Sequence, residues 1–310
     1  MGLAGLILAA AIAQSATTPS ATAKPEASKF DNAKAFAWLE QQVAYGPRVP
    51  GTEAHLKCRD AIAAEAKLQC DDVALQPVTH VWSRTGKAVT MWNVVATQNW
   101  KDATTRVVLL AHWDSRPSAE QDPDESKRDL PIPGANDGAS GVAVLLELMR
   151  HLKTAAPKSL GIQYVFTDGE DLGPKLDEMF LGAVAYAKGL KTLKPDYGIL
   201  LDMIGDKDLQ VPMEPNSYAA AKGPITALYT HAEKIGLGKT FPRRLGQEIL
   251  DDHLSIIEAG VPTIDLIDFD YPSWHTSQDT PDKCSPAALG KVGTLLLSFL
   301  SQPKPYTPKR

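Results

Sequence analysis

The chain has 310 residues, of which 44% are hydrophobic and 22% charged, and its formal net charge is -5. This is the composition of an ordinary globular protein with enough apolar material for one large core. The mild acidity gives no reason to expect a nucleic acid partner.

The first thirteen residues are small or apolar and end in Ala11-Ile12-Ala13, an A-x-A cleavage pattern. The run is too short to span a bilayer and reads as a secretory signal over residues 1–13, extending at most to 23. It lacks the Lys or Arg that ordinarily precedes such a run. Residues 14–30, rich in Ala, Thr, Ser and Pro, read as a disordered spacer, with Gln14 at the new N-terminus if cleavage follows Ala13. A single catalytic domain is expected over 31–303 and a flexible tail over 304–310, because neither a shift in composition nor an internal repeat divides the chain. Export to the periplasm or the medium, no membrane span and a monomeric state are the corresponding expectations.

The spacing of apolar residues predicts helices over 31–45 and 53–68, separated by the turn-rich Gly46-Pro47-Arg48-Val49-Pro50-Gly51-Thr52. Strands are predicted at 91–97 and 106–111, the second apolar on both faces as in a central strand covered by helices. After a Gly-rich turn at 134–141, a buried helix carries Val142, Val144, Leu145, Leu148, Met149 and Leu152. A strand at 161–167, a helix at 178–189, a strand at 197–203, a helix at 223–236, a strand at 262–267 and a closing helix at 286–301 complete the series. Strands alternating with helices at these intervals imply an α/β fold, a mostly parallel central sheet flanked by helices on both faces.

In such sheets ligands bind beyond the carboxyl ends of the strands. His112, Glu170, Asp171 and Asp202 all fall there, and Asp137 and His275 lie in loops. Two imidazoles and three carboxylates, His112, Asp137, Asp171, Asp202 and His275, are mixed N/O ligands that suit zinc, singly or as a pair. Glu170, beside Asp171, is placed to move protons without being a ligand. Each position also has a plainer explanation. Asp168-Gly169-Glu170-Asp171 can be a surface turn, His112 a hydrogen-bonded core residue, Asp137 a turn former and Asp251 a helix N-cap. His55, His80, His151 and His231 are assigned no function, and Glu120, Asp122, Asp124 and Glu125 read as a solvated acidic loop. Of the three cysteines, Cys58 and Cys70 can pair in an oxidising compartment, or all three can be free thiols.

The ordered series His112-Trp113-Asp114-Ser115, Gly134-Ala135-Asn136-Asp137-Gly138-Ala139-Ser140-Gly141, Asp168-Gly169-Glu170-Asp171, Leu200-Leu201-Asp202-Met203-Ile204-Gly205, Asp251-Asp252-His253 and Trp274-His275-Thr276 resembles the zinc aminopeptidase-like superfamily of the M28 type. Within it, Ile249 to His253, Gly260-Val261-Pro262 and Tyr271 to Thr276 are most similar to the animal-type glutaminyl-peptide cyclotransferases. The resemblance spans about 34–301. It implies one zinc on Asp137, Asp171 and His275, Glu170 as proton shuttle, Asp202 and Asp251 as a hydrogen-bonded pair positioning the substrate, and Trp274 and Tyr271 at the substrate. The reaction implied is cyclisation of the N-terminal Gln of peptides or proteins to pyroglutamate, releasing ammonia. The alternative is a two-zinc aminopeptidase, with His112 and Asp202 on a second ion and Asp137 bridging.

Three departures stand out: Asp171 replaces the Glu of the animal enzymes, the loop 172–180 is shorter and lacks a Trp, and Ala111 replaces a disulfide Cys. A non-catalytic member of the same fold would have lost ligands, and none is lost here.

Overall fold

The computed structural model describes residues 1–2, 29–304 and 306–308. All but the first two residues of the expected leader, and almost all of the expected spacer, lie outside the described residues. Phe30, at the end of that spacer, is buried in the core, and in the tail the ring of Tyr306 meets Tyr197 edge-on at 5.6 Å.

Six strands form one mixed sheet in the order β1-β2-β4-β3-β5-β6. They are β1 (Asp72–Trp82), β2 (Lys87–Gln98), β3 (Thr105–His112), β4 (Leu160–Thr167), β5 (Tyr197–Asp202) and β6 (Thr263–Ile267). The pairs β4/β3, β3/β5 and β5/β6 are parallel, whereas β1 joins β2 and β2 joins β4 antiparallel. Four parallel strands with an antiparallel hairpin on one side make the α/β architecture expected from the strand–helix alternation.

The helices are α1 (Asn32–Ala44), α2 (Glu53–Gln69), α3 (Ala139–Ala155), α4 (Leu181–Gly189), α5 (Pro215–Ala220), α6 (Lys222–Lys234), α7 (Asp252–Glu258) and α8 (Pro286–Leu300). Because strand side chains alternate between faces, β3 serves two cores at once. Val107, Leu109 and Ala111 join the larger core with α1, α2, α3 and α8, while Val108 and Leu110 join a smaller one with Tyr186 of α4 and Ile256 of α7. The sheet is therefore covered on both sides.

The predicted elements recur with shifts of a few residues at most; β1 and α5 were not expected, and α7 was foreshadowed only by the helix cap weighed for Asp251. β1 alternates between exposed and half-buried residues and contains Pro77, so it carries no apolar run, as suits an edge strand. Cys58, Cys70 and Cys284 are all free thiols. Among the described residues, no helix is long and apolar enough to cross a membrane.

Helix α3 fixes the position of the candidate site, since it starts directly after Asp137 and is buried along almost its whole length. Gly141 in its first turn touches β5 so closely that a Cβ there would lie 2.2 Å from the Leu201 carbonyl oxygen and 3.0 Å from Ala111 Cβ. Gly141→Ala should therefore cost at least about 2 kcal/mol of stability through overpacking. An unchanged urea midpoint would show that α3 has room to move away from the sheet.

Candidate metal centre and catalytic pocket

The carboxyl ends of β3, β4 and β5 converge on one point. β3 ends in His112, the turn after β4 carries Glu170 and Asp171, and β5 ends in Asp202. The loop before α3 supplies Asp137, and the loop after β6 supplies His275. All six are buried.

Two triangles of donor atoms share Asp137. In one, His112, Asp137 and Asp202 bring their ligand atoms within 4.8 Å of one another; in the other, Asp137, Asp171 and His275 do so. His112 Nε2 lies 3.1 Å from Asp137 Oδ1 and 3.1 Å from Asp202 Oδ1. His275 Nε2 lies 3.7 Å from Asp137 Oδ2 and 3.5 Å from Asp171 Oδ1. Donors at about 2.0–2.2 Å from a tetrahedral zinc are separated from one another by roughly 3.3–3.6 Å. The two edges of the second triangle that meet at His275, 3.7 and 3.5 Å, are close to that spacing, and Asp171 Oδ2 is buried without a hydrogen-bond partner. One imidazole and two carboxylates thus present a donor set that fits zinc.

Backbone hydrogen bonds hold these carboxylates in place. Asp114, which follows His112 by two residues, accepts the N–H of Glu170 at Oδ1 (3.3 Å) and of Asp171 at Oδ2 (3.1 Å). Asp279 does the same for the other loop, accepting from Asn136 N at 2.8 Å and Asp137 N at 3.1 Å. Gly138, at φ +94, turns the chain into α3; a Cβ there would lie 2.5 Å from the Asp114 carbonyl oxygen. Arg48, fully buried, binds the carbonyl oxygens of Trp113 (3.1 Å), Pro133 (2.6 Å) and Gly134 (2.6 Å). Its guanidinium thereby staples the loop after β3 to the loop before α3. His275 and Met203 have φ of +52 and +46, left-handed conformations that non-glycine residues adopt at a cost and that concentrate at functional sites.

Burial and crowding reshape the proton affinities. Burial, with the charges of Asp171, Asp251 and Asp252, pushes Glu170 well above the usual carboxylate range even against His112. Asp251 is raised by burial and by Asp202. For Asp171 burial acts upward too, but His275 and Arg116 outweigh it and hold the carboxyl below its ordinary value. Burial works against protonation of His275, yet Asp171, Glu120 and Asp137 lift it to about 10.

A small pocket of about 60 Å³ opens onto this floor, lined by Asp137, Glu170, Asp171, Asp202, Asp251 and His275 with apolar walls that include Met179, Ile249, Phe269 and Trp274. Trp274 stacks on His275 at 3.8 Å and tilts against Phe269 at 5.0 Å.

The expected residues meet here with two corrections. Tyr271 does not line the pocket; its hydroxyl donates to Asp279 Oδ1 at 2.7 Å, so it supports the Asp137 loop from behind. No hydrogen bond joins Asp202 to Asp251: Asp251 Oδ1 accepts its neighbour Asp252 N, Oδ2 has no partner, and the two carboxylates repel until one carries a proton. Asp251 lines the pocket and is also the N-cap of α7.

The acidic loop is only partly solvated. Glu120 reaches His275, and Asp122 is buried, accepting Ser277 N at 2.8 Å. Asp114 and Asp279 were not identified from sequence, although Asp114 is carried by the same short motif as His112. His55 proves structural, as expected, pairing with Asp168 at 2.8 Å and stacking on Trp113 at 4.3 Å.

Residues 93–300 match the model of peptidase family M28. The chain belongs to peptidase family M28. A glutaminyl-peptide cyclotransferase-like protein of Bos taurus is 26% identical over 82% of this chain and 72% of its own. The structure of Tannerella forsythia glutaminyl cyclase superposes with a TM-score of 0.85 at 36% identity, covering 89% of this chain and all of that one (100%). A Zn-dependent exopeptidase from Parabacteroides distasonis is similar too, with a TM-score of 0.83 and 34% identity over 89% of this chain and 100% of its own.

Asp114→Ala would leave the buried N–H groups of Glu170 and Asp171 without an acceptor, at roughly 1–3 kcal/mol each. A loss of about 2–6 kcal/mol is expected in denaturant unfolding, with Asp114→Asn losing less because one acceptor oxygen remains. Equal stability of the Ala and Asn variants would contradict this role.

Proposed function

We propose that this M28 chain is a zinc-dependent glutaminyl-peptide cyclotransferase, converting N-terminal Gln of peptides and proteins to pyroglutamate with release of ammonia. The observation that carries the reading is the small pocket itself, in which the Asp137–Asp171–His275 triangle, Glu170 and an aromatic wall meet in space suited to one folded side chain. The similarity to the bovine and Tannerella proteins supports it.

In this proposal Asp137, Asp171 and His275 hold the zinc, which supplies Lewis acidity at the γ-carbonyl when bound. The nucleophile and the electrophile belong to the same residue, so the protein's contribution is orientation and placement of charge. The α-amine nitrogen bonds to the carbonyl carbon of the side-chain amide (Cδ), and the bond from that carbon to the amide nitrogen breaks, releasing ammonia. Glu170 takes the proton from the amine and returns one to the departing nitrogen. Its raised proton affinity, caused by burial and neighbouring carboxylates, suits a group that must both accept and donate. Asp202 and Asp251 bind and orient the amino group, and Trp274 forms the wall against which the side chain lies. The protein is proposed to act as a monomer. The apolar opening residues support export to the periplasm or beyond.

One observation favours a second reading. Asp137 also belongs to the triangle with His112 and Asp202, the arrangement a two-zinc aminopeptidase requires, and the Parabacteroides relative is named an exopeptidase. Zinc titration of the metal-free protein distinguishes them, with one equivalent expected for the cyclase and two for the peptidase.

Glu170→Gln should keep that zinc and lose turnover by roughly 10²–10⁴-fold, the range of a general acid–base group. Activity within a few fold of the parent would remove Glu170 from the proton path. His275→Ala should lose the zinc, and parent metal content in that variant would remove His275 from the ligand set.

A further inference from the structure

We propose that Arg116 and Glu120 form a clamp that couples two of the zinc ligands, so that Asp171 and His275, from separate loops, bind metal as one unit. The inference rests on the assignment of those two residues as ligands.

Five contacts carry it. Glu120 Oε1 lies 2.9 Å from His275 Nδ1, the ring nitrogen facing away from the metal triangle. Arg116 Nε and Nη2 hold the same Glu120 oxygen at 2.7 and 2.6 Å. Arg116 Nη1 reaches across to Asp171 Oδ1 at 2.8 Å. A backbone bond from Gln121 N to the His275 carbonyl oxygen at 3.1 Å ties down the same segment. One guanidinium thus links both ligands, and its fork geometry is what a lysine cannot reproduce.

The consequences differ at each ligand. A carboxylate on Nδ1 fixes the tautomer with the proton there and leaves Nε2 as the donor toward Asp137 and Asp171. Arg116 occupies Oδ1 of Asp171, and the oxygen left without a partner is Oδ2. The clamp therefore makes His275 present Nε2 and holds the Asp171 carboxylate through Oδ1, the oxygen 3.5 Å from that nitrogen. It also accounts for Gly173, at φ +45, where a Cβ would lie 2.9 Å from Arg116 Nη1 and displace the guanidinium.

The test is zinc affinity rather than turnover. Full-length metal-free protein is titrated with zinc against a competing chromogenic chelator, with circular dichroism and urea unfolding establishing that each variant is folded. Glu120→Ala and Arg116→Ala should each weaken zinc by about 10–100-fold, the usual effect of losing a group that orients a metal ligand. Glu120→Gln, which retains an acceptor for Nδ1–H, and Arg116→Lys, which retains charge without the fork, should fall between these and the parent. Since both residues act through one unit, the double alanine variant should be at most about threefold weaker than the worse single variant.

Parent-like zinc affinity in either alanine variant overturns the clamp, and so does a double variant whose loss equals the product of the two. His275→Ala separates this failure from that of the ligand assignment. If it binds zinc like the parent, the ligand set is wrong; if it loses zinc while Glu120→Ala does not, only the clamp is wrong.

Discussion

Like charges forced together out of water are the constraint around which this protein is arranged. Asp137, Glu170, Asp171, Asp202 and Asp251 crowd the floor of one pocket, all buried. Taking a carboxylate out of water costs several kcal/mol unless its charge is compensated. Compensation comes from His112 and His275, from the fixed charge of Arg116, and from the zinc that the donor set fits. Where burial and neighbouring carboxylates outweigh the pull of His112, as at Glu170 and Asp251, proton affinity is pushed up, while Asp171, beside His275 and Arg116, is pushed down. One cluster thereby contains groups suited to binding metal and a group suited to moving protons.

Such a cluster persists only on a frame that cannot relax. Asp114 and Asp279 fix the two carboxylate-bearing loops through backbone amides, Arg48 staples those loops together, and Tyr271 braces Asp279. The left-handed backbones at Met203 and His275 are held within the same frame. Beneath it lies the buried helix α3, pressed so closely on β5 that only glycine fits at position 141. This rigidity orders the donors before metal or substrate arrives, so little reorganisation is left for the reaction itself.

The sheet and most helices were legible because their burial is periodic. β3 is apolar on both faces since both faces are covered, and α3 is apolar nearly all round since it lies inside. β1 was not legible, because an edge strand with one side half-exposed has no apolar run, and α5 and α7 are too short for a helical period to show. The ligand candidates were readable from residue type and position after the strands. What surrounds them was not. Glu120 is 155 positions from His275, and Asp279 is 142 from Asp137, so their hydrogen bonds leave no local pattern. Glu120 and Asp122 looked like solvated acids for that reason, and Tyr271 was placed at the substrate because it opens the Tyr271–Thr276 segment that carries the family resemblance. Asp251 was weighed as a cap or as a site residue; it caps α7 and lies on the pocket wall.

The central claim is that this pocket closes a ring on the first residue of a peptide rather than cleaving that residue off. Mass spectrometry of a synthetic Gln-initiated peptide incubated with the zinc-loaded protein decides between the two. The account predicts a product lighter by the mass of ammonia with every other residue retained. A product lacking the whole first residue would contradict it and move His112 and Asp202 onto a second zinc.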